Sequence, residues 1–182
     1  MNNSAFAVLT AVGPDRVGIV DDVSALVATS GGNIEESKMA VLGGEFAAVA
    51  LVSLESDALA DLKAALPDLQ ARLGLHLELK PTRGPVAAKS GRPYLLETVS
   101  LDTPGIVHSV TAVIKAHDIN IEELETSTQP APWTGAPMFR MRATLILGPQ
   151  VSVPQLKSDL ALLESERDLD ISLKPALPGL PE

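Results

Sequence analysis

The sequence has no cysteine, which excludes a disulfide scaffold, a thiol nucleophile, an iron–sulfur cluster and a cysteine zinc site. Aromatic residues make up only 3% of it, too few to build the stacking platforms that hold single-stranded nucleic acids. Basic residues are also scarce, with 14 Lys and Arg against 23 Asp and Glu and a formal net charge of −9. Nucleic-acid binding is largely neutralisation of phosphates by Lys and Arg, so any influence on DNA is expected to pass through another protein. The one basic cluster, Arg83, Lys89 and Arg92, falls in a Pro/Gly-rich stretch that reads as a linker. No uncharged apolar run approaches the roughly 20 residues of a membrane helix. Met1-Asn2-Asn3-Ser4 puts no basic region before the short apolar run Phe6–Val12, so no secretory signal is read and a cytoplasmic location is expected. What is abundant is aliphatic: 46% of the 182 residues are hydrophobic, enough for a packed core and against disorder.

The chain repeats itself. Shifted by 87 positions, residues 12–41 fall on 99–128 without a gap, and 11 of the 30 pairs are identical, among them Asp15/Asp102, Gly18/Gly105, Ile19/Ile106 and the run Asn33–Glu36 on Asn120–Glu123. Leu79-Lys80-Pro81 likewise matches Leu173-Lys174-Pro175. The expected organisation is a first unit over residues 1–81, a linker over 82–92 and a second unit over 93–182. Units this small bury little surface alone, so the two are expected to pack together.

Both units show one order of elements. In the first, Ala5–Val12 is strand-like and ends at Gly13-Pro14. Ile19, Val20, Val23, Leu26 and Val27 then mark one face of a helix, with Asp15 placed as its N-cap and Gly31-Gly32 as its stop. Asn33–Leu42 and Glu45–Leu54 read as strands around the hairpin pair Gly43-Gly44. A second helix starts near Asp57, is interrupted by Pro67, resumes to Leu73 and is capped by Gly74 before a strand over Leu75–Lys80. The second unit reads as a strand over Tyr94–Leu101, a helix starting at Pro104, strands over Asn120–Thr128 and Met138–Leu147, a helix from Pro154 and a strand over Ile171–Lys174. The order β-α-β-β-α-β predicts an α+β chain of two tandem ferredoxin-like units with antiparallel sheets. The connection Gln129–Pro137 is about six residues longer than its counterpart and holds the only tryptophan, Trp133; long Pro-rich loops more often serve contacts than packing.

The loop between first strand and first helix, Gly13–Val20 and Ser100–Val107, puts Gly18 and Gly105 in the first helical turn, where free N–H groups suit a small carboxylate. Asn33 and Asn120 open the second strands, expected beside the first strands, and offer the donors and acceptor that a zwitterion needs. Glycine also permits close helix packing and asparagine favours a turn before a strand, so both readings stand for each residue.

The phrases Asp-x-x-Gly-Ile-Val and Asn-Ile-Glu-Glu, present in both halves, resemble the motifs of the ACT domain family, small amino-acid-sensing modules. Leu9–Val20 with Gly32–Phe46, and Asn120–Ala131 in the second half, are similar to the glycine cleavage system transcriptional repressor family, over nearly the whole chain. The resemblance implies a regulator without catalysis or cofactor, which binds a small amino acid, glycine foremost, and restrains a LysR-type activator by protein contact, as a homo-oligomer. It implies ligand-binding roles for Asp15, Arg16, Val17, Gly18, Ile19, Asn33 and Ile34, and for Asp102, Thr103, Pro104, Gly105, Ile106, Asn120 and Ile121. Val17 stands where the family commonly has the proline that Pro104 supplies, Arg16 faces Thr103 and Gly31 faces Asp118, so the two halves are not equivalent. The other reading the sequence allows is a ligand-free interaction module.

Catalysis finds little support. His76, His108 and His117 make no metal-ligand spacing, and there is no Gly-x-Ser-x-Gly or P-loop pattern. Glu35-Glu36 and Glu122-Glu123 are neighbours in strands, which point to opposite faces. Acylphosphatases share the βαββαβ order and use a loop arginine and a strand asparagine, but Gly13-Pro14-Asp15 puts a proline and a carboxylate where consecutive N–H groups would cradle phosphate. Arg140 and Arg142 alternate on one strand face, available to pair with acidic strands.

Overall fold

The structure is a computed structural model and describes residues 4–85 and 90–176. It divides into two compact units, Met1–Ala87 and Ala88–Glu182. Lys89 of the basic cluster lies outside the described residues.

In the first unit, β1 (Ser4–Pro14), α1 (Ile19–Thr29), β2 (Asn33–Leu42), β3 (Glu45–Glu55), α2 (Ala58–Leu73) and β4 (His76–Thr82) build a four-stranded antiparallel sheet in the order β2-β3-β1-β4. The second unit repeats this with β5 (Arg92–Leu101), α3 (Ile106–Ala116), β6 (Asn120–Pro130), β7 (Pro137–Leu147), α4 (Val153–Arg167) and β8 (Asp170–Pro175), in the order β6-β7-β5-β8. This is the expected α+β plan of two ferredoxin-like units. Strand alternation gives each sheet one apolar face. Ala7, Leu9 and Ala11 of β1 and Val52 and Leu54 of β3 pack with Ile19, Val27, Leu62, Leu66 and Leu69 of the helices. In the second unit Leu96, Met141, Ala143 and Leu145 meet Ile106, Val110, Ile114, Leu156 and Leu160.

Several local expectations are corrected. Strands run longer than read: β4 reaches Thr82 and β5 begins at Arg92, so both ends of the expected linker are strand. The β6–β7 pairing continues to Pro130↔Pro137, which shortens the connecting loop to residues 131–136. Asp15 does not cap α1; Gly18 does, at φ 94, and Gly105 caps α3 at φ 91. Both glycines therefore precede the first turn, and α3 starts at Ile106 rather than at Pro104. A side chain at Gly18 would meet nothing within 4 Å, so the left-handed backbone, not close packing, calls for glycine there. Pro67 does not divide α2, which runs through it as one helix. Leu62 and Leu66 before it and Leu69 and Leu73 after it are all buried, and that apolar stripe holds the turn whose hydrogen bond proline removes.

The edge strands carry a shared irregularity. Register shifts between Ile34 and Glu36 in β2 and between Ile121 and Glu123 in β6, a β-bulge that inserts one residue against the partner strand. The expected alternation of Glu35 and Glu36 fails for this reason: Glu35 bonds to Ser53 while Glu36 lies with Val8 and Leu51, both on the open sheet face. Thr98 and Ser100 on β5 bury hydroxyls that have no hydrogen-bond partner, at positions where the first unit has Ala11 and Gly13.

Candidate functional site

The strand order separates the residues expected to act together. β2 pairs with β3 and not with β1, so Asn33 lies beside Ser53 of β3, level with Phe6 at the start of β1. The loop Asp15–Gly18 follows the other end of β1. Eight strand residues, about 27 Å, separate the two within one unit. Asn120 is likewise level with Pro93 through Ile146, whereas Asp102–Gly105 follow Leu101. Asp15, Arg16, Val17, Gly18 and Ile19 thus form one group and Asn33 with Ile34 another; Asp102, Thr103, Pro104, Gly105 and Ile106 stand apart from Asn120 and Ile121 in the same way.

The two glycine loops differ in charge pairing. In the first, Arg16 reaches Asp22 at 3.1 Å and Arg72 reaches the other oxygen of Asp22 at 2.9 Å. Both cations near that helix start are therefore engaged by one carboxylate. In the second unit Ser109 occupies the position of Asp22, and its hydroxyl bonds back to Gly105 O at 3.0 Å. The guanidinium of Arg167, at the end of α4, lies 3.5 Å from where a side chain on Gly105 would begin. The Arg167 side chain has no ion pair or hydrogen bond among the described residues. Asp102 is held by its N–H to Pro137 O at 2.9 Å and by Thr128 Oγ1 at 3.3 Å. A guanidinium beside the first N–H groups of a helix favours an anion, and only the second loop leaves its guanidinium unspent.

The asparagines differ as well. Asn33 donates to the Glu35 carboxylate at 3.2 Å, and Ser53 donates to the same oxygen. Those two bonds, Ser53 foremost, hold the Glu35 carboxyl below the ordinary carboxylate range. In the second unit Ile146 stands opposite Asn120 in place of Ser53, and Asn120 makes only a bond to Ile121 O, at 3.2 Å. Asn120 lines an open pocket of about 440 Å³ with Lys115, Asp118, Gln150 and Ser90, floored by Ile119 and Ile146. The side chains of Lys115 and Asp118 have no partner among the described residues. Asp118 sits at φ 55, a conformation that costs a non-glycine residue stability and is unstrained for its counterpart Gly31. The Gln150 amide lies within 2.7 Å of where a Gly148 side chain would begin, so that glycine admits it. A cation, an anion and two amides in one pocket match the groups of a free amino acid. Asp118 was noted from the sequence as the counterpart of Gly31, whereas Lys115, Gln150 and Arg167 were not singled out, although Lys115 likewise replaces Ala28 of the first repeat, and that divergence was the available signal.

Other candidates resolve simply. His117 Nε2 is 2.8 Å from Asp159 and ties α3 to α4; His76 opens β4 and His108 lies in α3. Among the described residues no group of three or more His, Cys, Asp or Glu could hold a metal, and no helix is long and apolar enough to cross a membrane. Arg142 pairs with Glu97 at 3.0 Å.

The profile of the ACT domain matches residues 5–80. The glycine cleavage system transcriptional repressor of Escherichia coli K12 is 32% identical over 144 residues, 79% of this chain and 76% of that protein, and its Shigella flexneri equivalent matches equally. Among solved structures, a protein from Galdieria sulphuraria described only as unknown is 35% identical with a TM-score of 0.78, covering 96% of this chain and 99% of the other. A second, provisionally described as a glycine cleavage system transcriptional repressor, is 26% identical with a TM-score of 0.71, covering 94% and 96%. The chain belongs to the glycine cleavage system transcriptional repressor family and is a regulatory ACT-domain protein, not an enzyme.

Proposed function

We propose that the chain senses a small amino acid, glycine foremost, through its second ACT unit and passes its state to a LysR-type activator by protein contact. The observation that carries this reading is the Asn120 pocket, where Lys115 and Asp118 offer both charge signs with no partner of their own. Lys115 receives the α-carboxylate, Asp118 the α-ammonium, and Asn120 bridges them. The first unit lacks both charges at the equivalent positions and spends Asn33 on Glu35, so it serves structure. Because Asn120 and the Gly105 loop stand about 27 Å apart in one unit, a ligand touching both takes its loop from another copy of the chain, and the protein works as a homo-oligomer. Regulation then requires that ligand bind one arrangement better than another.

Thermal unfolding against a panel of free amino acids tests this. Glycine at 100 times its dissociation constant stabilises by about 2.7 kcal/mol, a shift of several degrees. Asn120→Ala and Lys115→Met abolish the shift and Asn33→Ala keeps it. A shift lost in Asn33→Ala alone moves the site to the first unit, and a flat panel removes the sensor reading.

A further inference from the structure

The open face of the second sheet holds a groove of about 410 Å³, away from the Asn120 pocket. Arg140 stands in its floor, between Ser127 of β6 and Val99 of β5 in the strand register, with Gln129 and Met138 as the next row. Pro130 and Pro132 of the long hairpin form its wall. That hairpin is braced internally: Ala131 N–H donates to Ala136 O at 2.8 Å and Gly135 N–H to Ala131 O at 2.9 Å.

Two observations single out Arg140. Arg142, on the same strand face, is spent on Glu97, whereas the Arg140 side chain has no ion pair or hydrogen bond among the described residues. It does so in a chain where acidic residues outnumber basic ones, 23 to 14. In the first unit, moreover, the positions equivalent to Arg140, Ser127 and Gln129 are Ala47, Ala40 and Leu42. Guanidinium, hydroxyl and amide occur together only where the hairpin is extended.

We propose that this groove binds a small organic carboxylate with a short apolar body. The planar guanidinium fork fits a carboxylate at two points, Ser127 and Gln129 supply neutral donors, and Val99, Met138 and the prolines cover the hydrocarbon. The residues lining the groove include no carboxylate, so an α-ammonium would find no acceptor there. The site is therefore distinct in ligand from the amino-acid pocket and does not rest on it.

Trp133, the only tryptophan, is 97% exposed on the hairpin next to Pro132 of the groove wall, so its fluorescence probes the hairpin while calorimetry reads occupancy directly. The full chain is titrated with hexanoate, acetate and inorganic phosphate, with calorimetry in parallel. Hexanoate gives a saturable change and binds more than about tenfold tighter than acetate, since each buried methylene adds affinity. Arg140→Gln, at an exposed position, leaves the melting temperature unchanged and weakens hexanoate by about tenfold or more, and Arg140→Lys falls between. The proposal is overturned by absence of saturation in both signals, by wild-type affinity in Arg140→Gln, or by phosphate binding as tightly as hexanoate.

Discussion

Asn33 and Asn120 hold the same place in two homologous units and meet different neighbours. Ser53 and Glu35 close a network around the first, while Ile146 faces the second. The Glu35 carboxyl is held low by hydrogen bonds made to its charged form. Its folded-state pKa lies below its unfolded one, so its contribution to stability is present above the ordinary carboxylate range and is lost as pH falls through the folded value. Ser53→Ala removes the larger cause: carboxyl NMR titration is expected to show Glu35 moving up toward the ordinary value, and an unchanged midpoint would refute the assignment. At this scale the sequence was partly legible. The repeated Asn-Ile-Glu-Glu phrase singled out the asparagines, but their placement beside the first strand was wrong, because β3 lies between β2 and β1, and β7 between β6 and β5. Which polar group is engaged and which is open depends on Ser53, Ile146 and Asp22, residues distant in sequence that no local motif connects.

Elements were the most legible level, since each follows from local periodicity and turn chemistry. The order of strands and helices could be read in both units, and the misreadings have specific physical causes. Gly13-Pro14 signals a turn, yet β1 continues through it because Gly13 and Pro14 still pair with Phe46 and Glu45. Pro67 signals a break, yet four buried leucines hold α2 together across it. Pro67 is exposed, so replacing it forfeits no core packing. Pro67→Ala is therefore expected to raise stability by about 1–3 kcal/mol, read as a higher denaturant midpoint with an unchanged slope. A lower midpoint would mean that the proline is favoured locally, through the unfolded state. The bulges in β2 and β6 were not legible, because a bulge is a relation between two strands and leaves no mark in one.

For the whole molecule, duplication was the strongest signal in the sequence, and the two units have separate cores. Their divergence also changes which charges are engaged: in the second unit the side chains of Lys115, Asp118, Arg140 and Arg167 have no partner among the described residues. Expressed as Met1–Ala87 and Ala88–Glu182, each unit is expected to unfold in one cooperative transition by circular dichroism. Under the proposed function, a glycine-dependent shift that survives separation belongs to the second piece. A shift in the first piece alone would reverse the division of labour.

The bulge also dates the chain. The same one-residue offset occurs at positions 87 apart, between Ile34 and Glu36 and between Ile121 and Glu123, and two strands would seldom acquire it independently at matching places. It was present in the single ancestral module before the gene doubled. The Pro-rich hairpin occurs in one copy only, so it arose, or was lost from its twin, after that doubling. The backbone of the edge strand is thus an inheritance, and the groove walled by Pro130 and Pro132 is a later departure from it.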